Sequence, residues 1–511
     1  MSNEGTLFRT CSATCVGIEV VRITVEVSIT PGVGIFIVGL PDSAVRESLL
    51  RVTTAMQRNG YVIPGRKTVV NMAPADIRKE GSGYDAAIAV AMLAASGQMY
   101  FPHPERFLIL GELSLDGTLR RVKGALPIAV RAAEMGYDSV VFPRESVNEA
   151  SWATGVRLYG VSDLHEMAEV LSGGPEASEY EVKGKRYVPS AGSAVYDFAD
   201  VAGQPFAKRG LEIAASGGHN VLLSGPPGSG KSMMSKCVAS ILPPMTRAEA
   251  IETSMVYSVA GLLDGDAGLL ASRPYRSPHH TASTVAVVGG GAKAMPGEIS
   301  LAHNGVLCLD ELAQFSPATL DVLRQPLEDR QIVISRARYK VSYPASFMLV
   351  ASMNPCPCGY AGDDDGRCSC TPGMIHRYRA RVSGPLLDRI DLNIRVRAVE
   401  SASMSAFPRQ ETSREIALRV AAAREIQNRR FLRDGIHTNA QMQPRHIQRY
   451  CRLDGDAEHL LQRMMEGFRL SARGYVRVLK VARTIADMCG EDGIRQEHIS
   501  EAVQYRFQEN V

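Results

Sequence analysis

Eight consecutive residues, Gly225, Pro226, Pro227, Gly228, Ser229, Gly230, Lys231 and Ser232, fit G-x-x-x-x-G-K-[ST] at every fixed position. They follow a short apolar strand, Val221–Leu223, and open a helical stretch, Met233–Leu242, which is the context in which this pattern cradles phosphates. Glycines let the backbone wrap close and turn its N–H groups inward, and the helix N-terminus adds positive partial charge. Lys231 would neutralise the β- and γ-phosphates of a nucleotide, and the Ser232 hydroxyl would ligate Mg²⁺. Seventy-eight residues beyond Ser232, the apolar run Val306–Leu309 ends in Asp310 and Glu311. A buried strand delivers such carboxylates at its C-terminal edge. Asp310 would hold Mg²⁺ through water and Glu311 would polarise an attacking water, so the pair argues for hydrolysis rather than mere binding. Another apolar strand, Phe347–Ala351, leads to Asn354. Its amide can hold the lytic water or the γ-phosphate, although an Asn there is more often a turn residue.

Four of the ten cysteines crowd into one loop just after Asn354: Cys356 and Cys358, nine intervening residues, then Cys368 and Cys370. Four thiolates suit tetrahedral Zn²⁺, which would staple a loop with little core of its own. The one-residue spacers make a tighter chelate than C-x-x-C, and metal-free thiols or disulfides are the alternatives. A basic run, Arg377, Arg379 and Arg381, follows directly.

These groups need elements to position them. The 511 residues suggest about three domains. Residues 1–172 alternate extended and helical stretches: Val16–Ile29 extended, Asp42–Gly60 helical with Asp42 as N-cap, Phe107–Leu110 a strand, Ala125–Met135 a helix. Residues 173–195 are polar and rich in Gly, Pro and Ser, which reads as a linker. Residues 196–396 carry the phosphate site. Residues 397–511 read as helices at Ser413–Phe431, Pro444–Cys451, Ala457–Ala472, Val476–Cys489 and His498–Gln508.

A formal charge of only +3 excludes a global cationic field for nucleic acid, so any such binding must come from local patches. The longest apolar run, Ala86–Ala95, is about half of what a bilayer requires. Nothing near Met1 reads as an export signal. The expectation is a soluble, cytoplasmic protein in a reducing compartment.

Four strings carry a resemblance: Arg273–Ser283, Pro296–His303, Ser383–Asp391 and Leu470–Asp487. With the phosphate motifs they resemble an AAA+ ATPase of the branch containing magnesium-chelatase subunits and MCM helicases, and within it the ComM/YifB family. The resemblance implies an α/β fold: an AAA+ P-loop NTPase core with a C-terminal helical lid, preceded by a Lon-protease-like α+β domain. It implies ATP and Mg²⁺ as cofactors, with Lys231 and Ser232 as Walker A, Asp310 and Glu311 as Walker B, and Asn354 as sensor 1. Arg389 matches the arginine finger and Arg473 matches sensor 2, with Arg477 one turn away as the alternative. A finger acting in trans implies a homo-hexamer. Similar cysteines in the family strengthen the zinc expectation.

Residues 256–300 resemble the helix-2 insertion, and His279 and His280 within it read as structural or pore-loop residues rather than a metal pair. Arg330–Tyr343 alternates as a hairpin would, with Arg336, Arg338 and Lys340 on one face. It resembles the pre-sensor-1 hairpin, whose cations contact DNA phosphates; a solvated face is the alternative. In the Lon-like domain, alignment on Lys79–Gly81 puts Gly83 at the nucleophile position, beside Ser82. Pro127 falls where the dyad lysine belongs, so the protease dyad looks lost. The expected function is a DNA helicase or translocase driving branch migration of recombination intermediates, as in natural transformation. Its partners would be single-stranded, duplex or branched DNA and recombination proteins, with no membrane. A chelatase-type motor, a Lon-like protease and a nucleotide-gated scaffold are the alternatives.

Overall fold

The computed structural model describes residues 6–173, 177–185, 187–190, 196–263, 268–335, 340–362, 366–397, 410–467 and 471–506. The chain forms two compact units: Met1–Val188 with Arg247–Leu270, and Pro189–Thr246 with Ala271–Val511.

The first unit holds two four-stranded sheets. In one, Thr6–Val16, Glu19–Thr30, Lys67–Ala73 and Ile35–Val38 lie in that order, antiparallel except for the last pair. The extended stretch expected from Val16 is thus the second arm of a hairpin that turns at Gly17, whose φ of +67° suits glycine. The other sheet orders Glu181–Val182, Arg157–Val161, Ser139–Pro143 and Phe107–Ile109. The helix Ser43–Arg58 starts where Asp42 accepts the Val45 N–H at 2.8 Å. It buries Val45, Val52, Ala55 and Met56 along one stripe. The helix Asp85–Ala95 is buried on almost every side, which explains its unbroken apolar run.

Two features of this unit depart from expectation. Glu181–Val182, within the expected linker, pair with Leu158 and Tyr159 as an edge strand. Arg247–Leu270, expected inside the ATPase core and partly inside the insertion, packs in the first unit. Its helix Arg247–Ala260 is held there by Ser258 on the buried Glu149, by Arg247 on the Trp152 carbonyl at 2.8 Å, and by Arg121 on the Leu263 carbonyl at 3.0 Å.

In the second unit a five-stranded, all-parallel sheet runs Tyr275–Arg276, Val306–Leu309, Met348–Met353, Val221–Ser224, Leu392–Arg395. Neighbouring strands are distant in sequence, so each connection crosses over, and the strands are buried as parallel strands must be. The helices Ser413–Arg430, Pro444–Tyr450, Gly455–Gly467, Ala472–Cys489 and Gln496–Gln504 follow. They share one apolar core with the sheet, in which Val221, Val350 and Leu392 meet Val420, Leu479 and Tyr505. Two hairpins complete the unit. Gln331–Ser335 pairs with Lys340–Pro344, and Gly289–Gly290 pairs with Met295–Pro296. They meet where the Tyr343 hydroxyl donates to the Ala294 carbonyl at 2.9 Å. No described helix is long and apolar enough to cross a membrane.

Candidate active site

The phosphate motif lies between the strand Val221–Ser224 and the helix Lys231–Ile241. Gly228 and Gly230 take φ of +75° and +88°, left-handed values that let the loop fold over its own N–H groups. Gly225 is needed for another reason: a Cβ there would sit 2.2 Å from the Val396 carbonyl oxygen. Lys231 folds back into the loop, its Nζ donating to the carbonyls of Gly225 and Pro226 at 2.8 Å each. Burial lowers its pKa, while Asp310 and Glu311 pull it back up. A phosphate would offer this ammonium a better acceptor than two carbonyls do.

The carboxylates arrive on the strand two places away. The Ser232 hydroxyl donates to Asp310 Oδ2 at 2.7 Å, and the Ser352 hydroxyl grips the other carboxylate oxygen. Ser352 also accepts the Glu311 N–H at 3.3 Å, so one strand-borne serine orients both acids. Glu311 takes a left-handed backbone (φ 54°), and its side chain is 56% exposed, open to water and to a ligand. Nδ1 of His280 lies 3.9 Å from the Glu311 carboxylate, and the His279 and His280 rings sit 4.1 Å apart. Met353 pairs with Ser224, so Asn354 and Gly225 leave the sheet side by side. The backbone of Asn354 lies within hydrogen-bonding reach of the buried Tyr378 hydroxyl, whose pKa is raised by burial first and by Glu311 among nearby charges.

Arg389 and Arg473 meet elsewhere. Both line a cleft of ≈ 810 Å³ with Glu328, Arg330, Asp391 and Arg477, and no residue of the phosphate motif lines it. Arg389 pairs with Glu328 and donates to the Pro385 carbonyl at 2.8 Å. Arg477 is committed: it pairs with buried Asp391 and donates to the Arg389 carbonyl at 3.1 Å. Burial would raise the Asp391 pKa, but Arg477, His219 and the Asn220 N–H hold it well below the usual carboxylate range. Asn220 ties this corner to the sheet, bonding the Arg389 carbonyl at 3.2 Å and the Leu349 N–H at 3.0 Å.

In the hairpin, Ile332, Ile334, Val341 and Tyr343 are buried while Lys340, opposite Ser335, is exposed. Arg336 and Arg338 lie outside the described residues. The arginines of the following basic run are engaged within the chain, Arg377 on the Gly373 carbonyl, Arg379 on the Pro355 carbonyl and Arg381 on the Ala313 carbonyl.

The four cysteines converge. Their sulfurs all lie within 4.8 Å of one another, at 3.3 Å (Cys356–Cys358), 3.8 Å (Cys356–Cys368) and 3.7 Å (Cys358–Cys368). Ligands held at ~2.3 Å in a tetrahedron stand about 3.8 Å apart, so the donor set has the size that zinc requires. The closest pair is well beyond a disulfide bond of about 2.05 Å. The Tyr360 N–H aimed at Cys358 favours its thiolate and lowers its pKa to about 6.

In the first unit, Lys79 donates to the Pro74 carbonyl and Ser82 to Glu112, so these two side chains do not form a serine–lysine pair. Gly83 and Pro127 bring no nucleophile or base, and Pro127 is buried in its helix. Sequence reasoning missed Ser352, Asn220 and Tyr378. Each acts through a partner more than 20 residues away, and no local pattern marks it.

The sequence matches the family model of magnesium chelatase, subunit ChlI, over residues 197–404. Two companion models match as well, another for ChlI over 25–146 and the ChlI C-terminal model over 410–506. It is 43% identical to YifB of Salmonella typhimurium over 492 residues, covering 96% of this chain and 95% of that protein. It is 41% identical to the competence protein ComM of Haemophilus influenzae over 500 residues, 97% and 96% of the two chains. The magnesium-chelatase 38 kDa subunit of Rhodobacter capsulatus is 30% identical over 193 residues, 33% of this chain and 54% of that one.

Proposed function

The chain belongs to the magnesium-chelatase-like family of ComM and YifB, and we propose that it is an Mg²⁺-dependent ATPase that works as a hexameric ring on DNA, driving branch migration of recombination intermediates. The carrying observation is the convergence of Lys231, Ser232, Asp310 and Glu311 at one sheet edge in a chain similar along nearly its whole length to a protein named for competence. Residues Gly225–Ser232 would cradle the triphosphate, Ser232 and Asp310 would hold Mg²⁺, and Glu311 would take a proton from the attacking water while Asn354 orients it. When bound, the metal would neutralise the charge between the phosphates.

Arg389 and Arg473 share a cleft apart from the phosphate loop, which supports their serving a neighbouring subunit's γ-phosphate. Arg473 is the better sensor 2 of the two candidates, because Arg477 is occupied by Asp391. The helices after residue 410 act as the lid, and the first unit is a Lon-like domain without proteolytic function that docks DNA or partners. Cys356, Cys358, Cys368 and Cys370 hold a structural Zn²⁺. The hairpin Gln331–Pro344, through Lys340, Arg336 and Arg338, contacts DNA phosphates. Thiols of this kind stay reduced in the cytoplasm, where the protein would work.

The test is steady-state ATPase activity with and without single-stranded, duplex and four-way-junction DNA, with Lys231→Ala as the blank. Strong stimulation by branched DNA is expected. Robust hydrolysis indifferent to every DNA would overturn the DNA reading and leave a chelatase-type motor, a reading favoured by the similarity to the 38 kDa chelatase subunit.

A further inference from the structure

The four-cysteine loop has almost no core. Among its described residues between 355 and 371, only Cys356 and Gly359 are buried. Gly359 is buried against the phosphate loop itself. A Cβ on Gly359 would stand 2.5 Å from Cδ and 2.7 Å from Cγ of Pro227, and its φ of +90° is one that only glycine adopts without strain. The backbone of residue 359 therefore lies flat on the pyrrolidine ring at the crown of the phosphate motif. Cys356 and Cys358 come just before that contact in sequence, and the Gly359 N–H closes a turn on the Cys356 carbonyl at 3.0 Å.

Two more ties hold the same segment to the site. Arg395, on the strand beside Val221–Ser224, donates to the Gly362 carbonyl. At the far end of the segment, Tyr378 meets the backbone of Asn354.

We propose that the metal held by the four cysteines sets the conformation of the phosphate loop, by fixing the Gly359 backbone against Pro227, so that nucleotide affinity depends on zinc occupancy. This rests on the reading of the cysteine cluster as a zinc site. The logic is that of an outer support: a loop with two buried points has no apolar reason to keep its shape, and four metal–sulfur bonds supply one. With zinc, the turn at 356–359 is rigid and Pro227 is pinned in the position that lets the N–H groups of residues 228–232 face a phosphate. Without it, the turn opens, Pro227 loses its contact with Gly359, and fewer molecules hold the competent loop.

The experiment uses the full-length protein and two readouts besides turnover: zinc content by elemental analysis, and affinity for a fluorescent ATP analogue in excess Mg²⁺. One zinc per chain is expected. Stripping it with a zinc-selective chelator should weaken the analogue's affinity roughly tenfold, the factor expected if about a tenth of the molecules keep a competent loop. Adding Zn²⁺ back should restore it. Gly359→Ala should weaken the analogue to a similar degree while zinc content stays at one per chain. That variant isolates the contact from the metal. Full zinc occupancy with affinity unchanged by chelation or by Gly359→Ala would overturn the coupling and leave the zinc site standing. No zinc, either as purified or after Zn²⁺ is added, would overturn the zinc reading and the coupling with it.

Discussion

Glu311 and Ser352 divide two tasks that the sequence places 41 residues apart. Glu311→Gln removes a base while keeping the shape, so turnover should fall by about 10²–10⁴. The affinity for a fluorescent ATP analogue should hold, and the two measurements together separate chemistry from binding. Ser352→Ala leaves the Walker-type acids in place but frees the Asp310 carboxylate from its second anchor. The Mg²⁺ concentration for half-maximal ATPase activity should rise roughly tenfold, as loss of an outer support to a metal ligand does. At Asp391 the sign of the pH effect is set by its depressed pKa. The carboxylate's stabilisation is fully present above the unfolded-state value of about 3.9 and is lost as pH falls through the lower folded-state value. Asp391→Asn should therefore cost about 1–3 kcal/mol at pH 7, because the half-buried Arg477 loses its charged partner. Urea titrations should show the gap between variant and parent narrowing below about pH 4. The phosphate loop and both acids were legible in the chain because their pattern is contiguous or ends a strand. Ser352, Asn220 and Tyr378 were not, since a buried serine, asparagine or tyrosine gains its meaning only from the strand or helix laid beside it.

At the scale of elements, the helices that the sequence pattern named fall within a few residues of those in the structure. Ser413–Arg430 opens at its N-cap Thr412, whose side chain forms a capping box with Glu415. Thr412→Ala should lower stability by about 1 kcal/mol, measured by thermal or urea unfolding. The edge strand Glu181–Val182 escaped notice because two paired residues leave no alternation to read. The paired hairpin Gln331–Pro344 was foreseen, and its buried face leaves Lys340 outward. Lys340→Ala should weaken DNA binding evenly across sequences and flatten its salt dependence by about one unit of slope, leaving ATPase activity without DNA unchanged. A salt slope equal to that of the parent would assign the lysine to a solvated face.

For the whole molecule, Arg389 and Arg473 line a cleft apart from the phosphate loop, and on the proposed ring one chain would complete another's site. Lys231→Ala and Arg389→Ala chains should each be inactive alone, and mixing them should recover part of the activity, because some interfaces then join an intact loop to an intact finger. No recovery on mixing would place Arg389 in its own subunit's chemistry. What the chain concealed at this scale was the membership of Arg247–Leu270. A stretch of amphipathic helix announces that it packs, but not on which body.

That membership has a temporal side. The helix Arg247–Ala260 lies against Ala125–Ala132 in a unit whose other residues end at Val188. On the ribosome, the early unit waits for its last piece while the phosphate loop is still being made. At about 5–20 residues per second, that wait is on the order of ten seconds. During it, the face of Ala125–Ala132 that meets Arg247–Ala260 lacks its partner. A nascent chain halted between the two bodies is thus an unfinished domain rather than a free-standing one, and the birth of the first unit is tied to the synthesis of the segment that carries the phosphate loop.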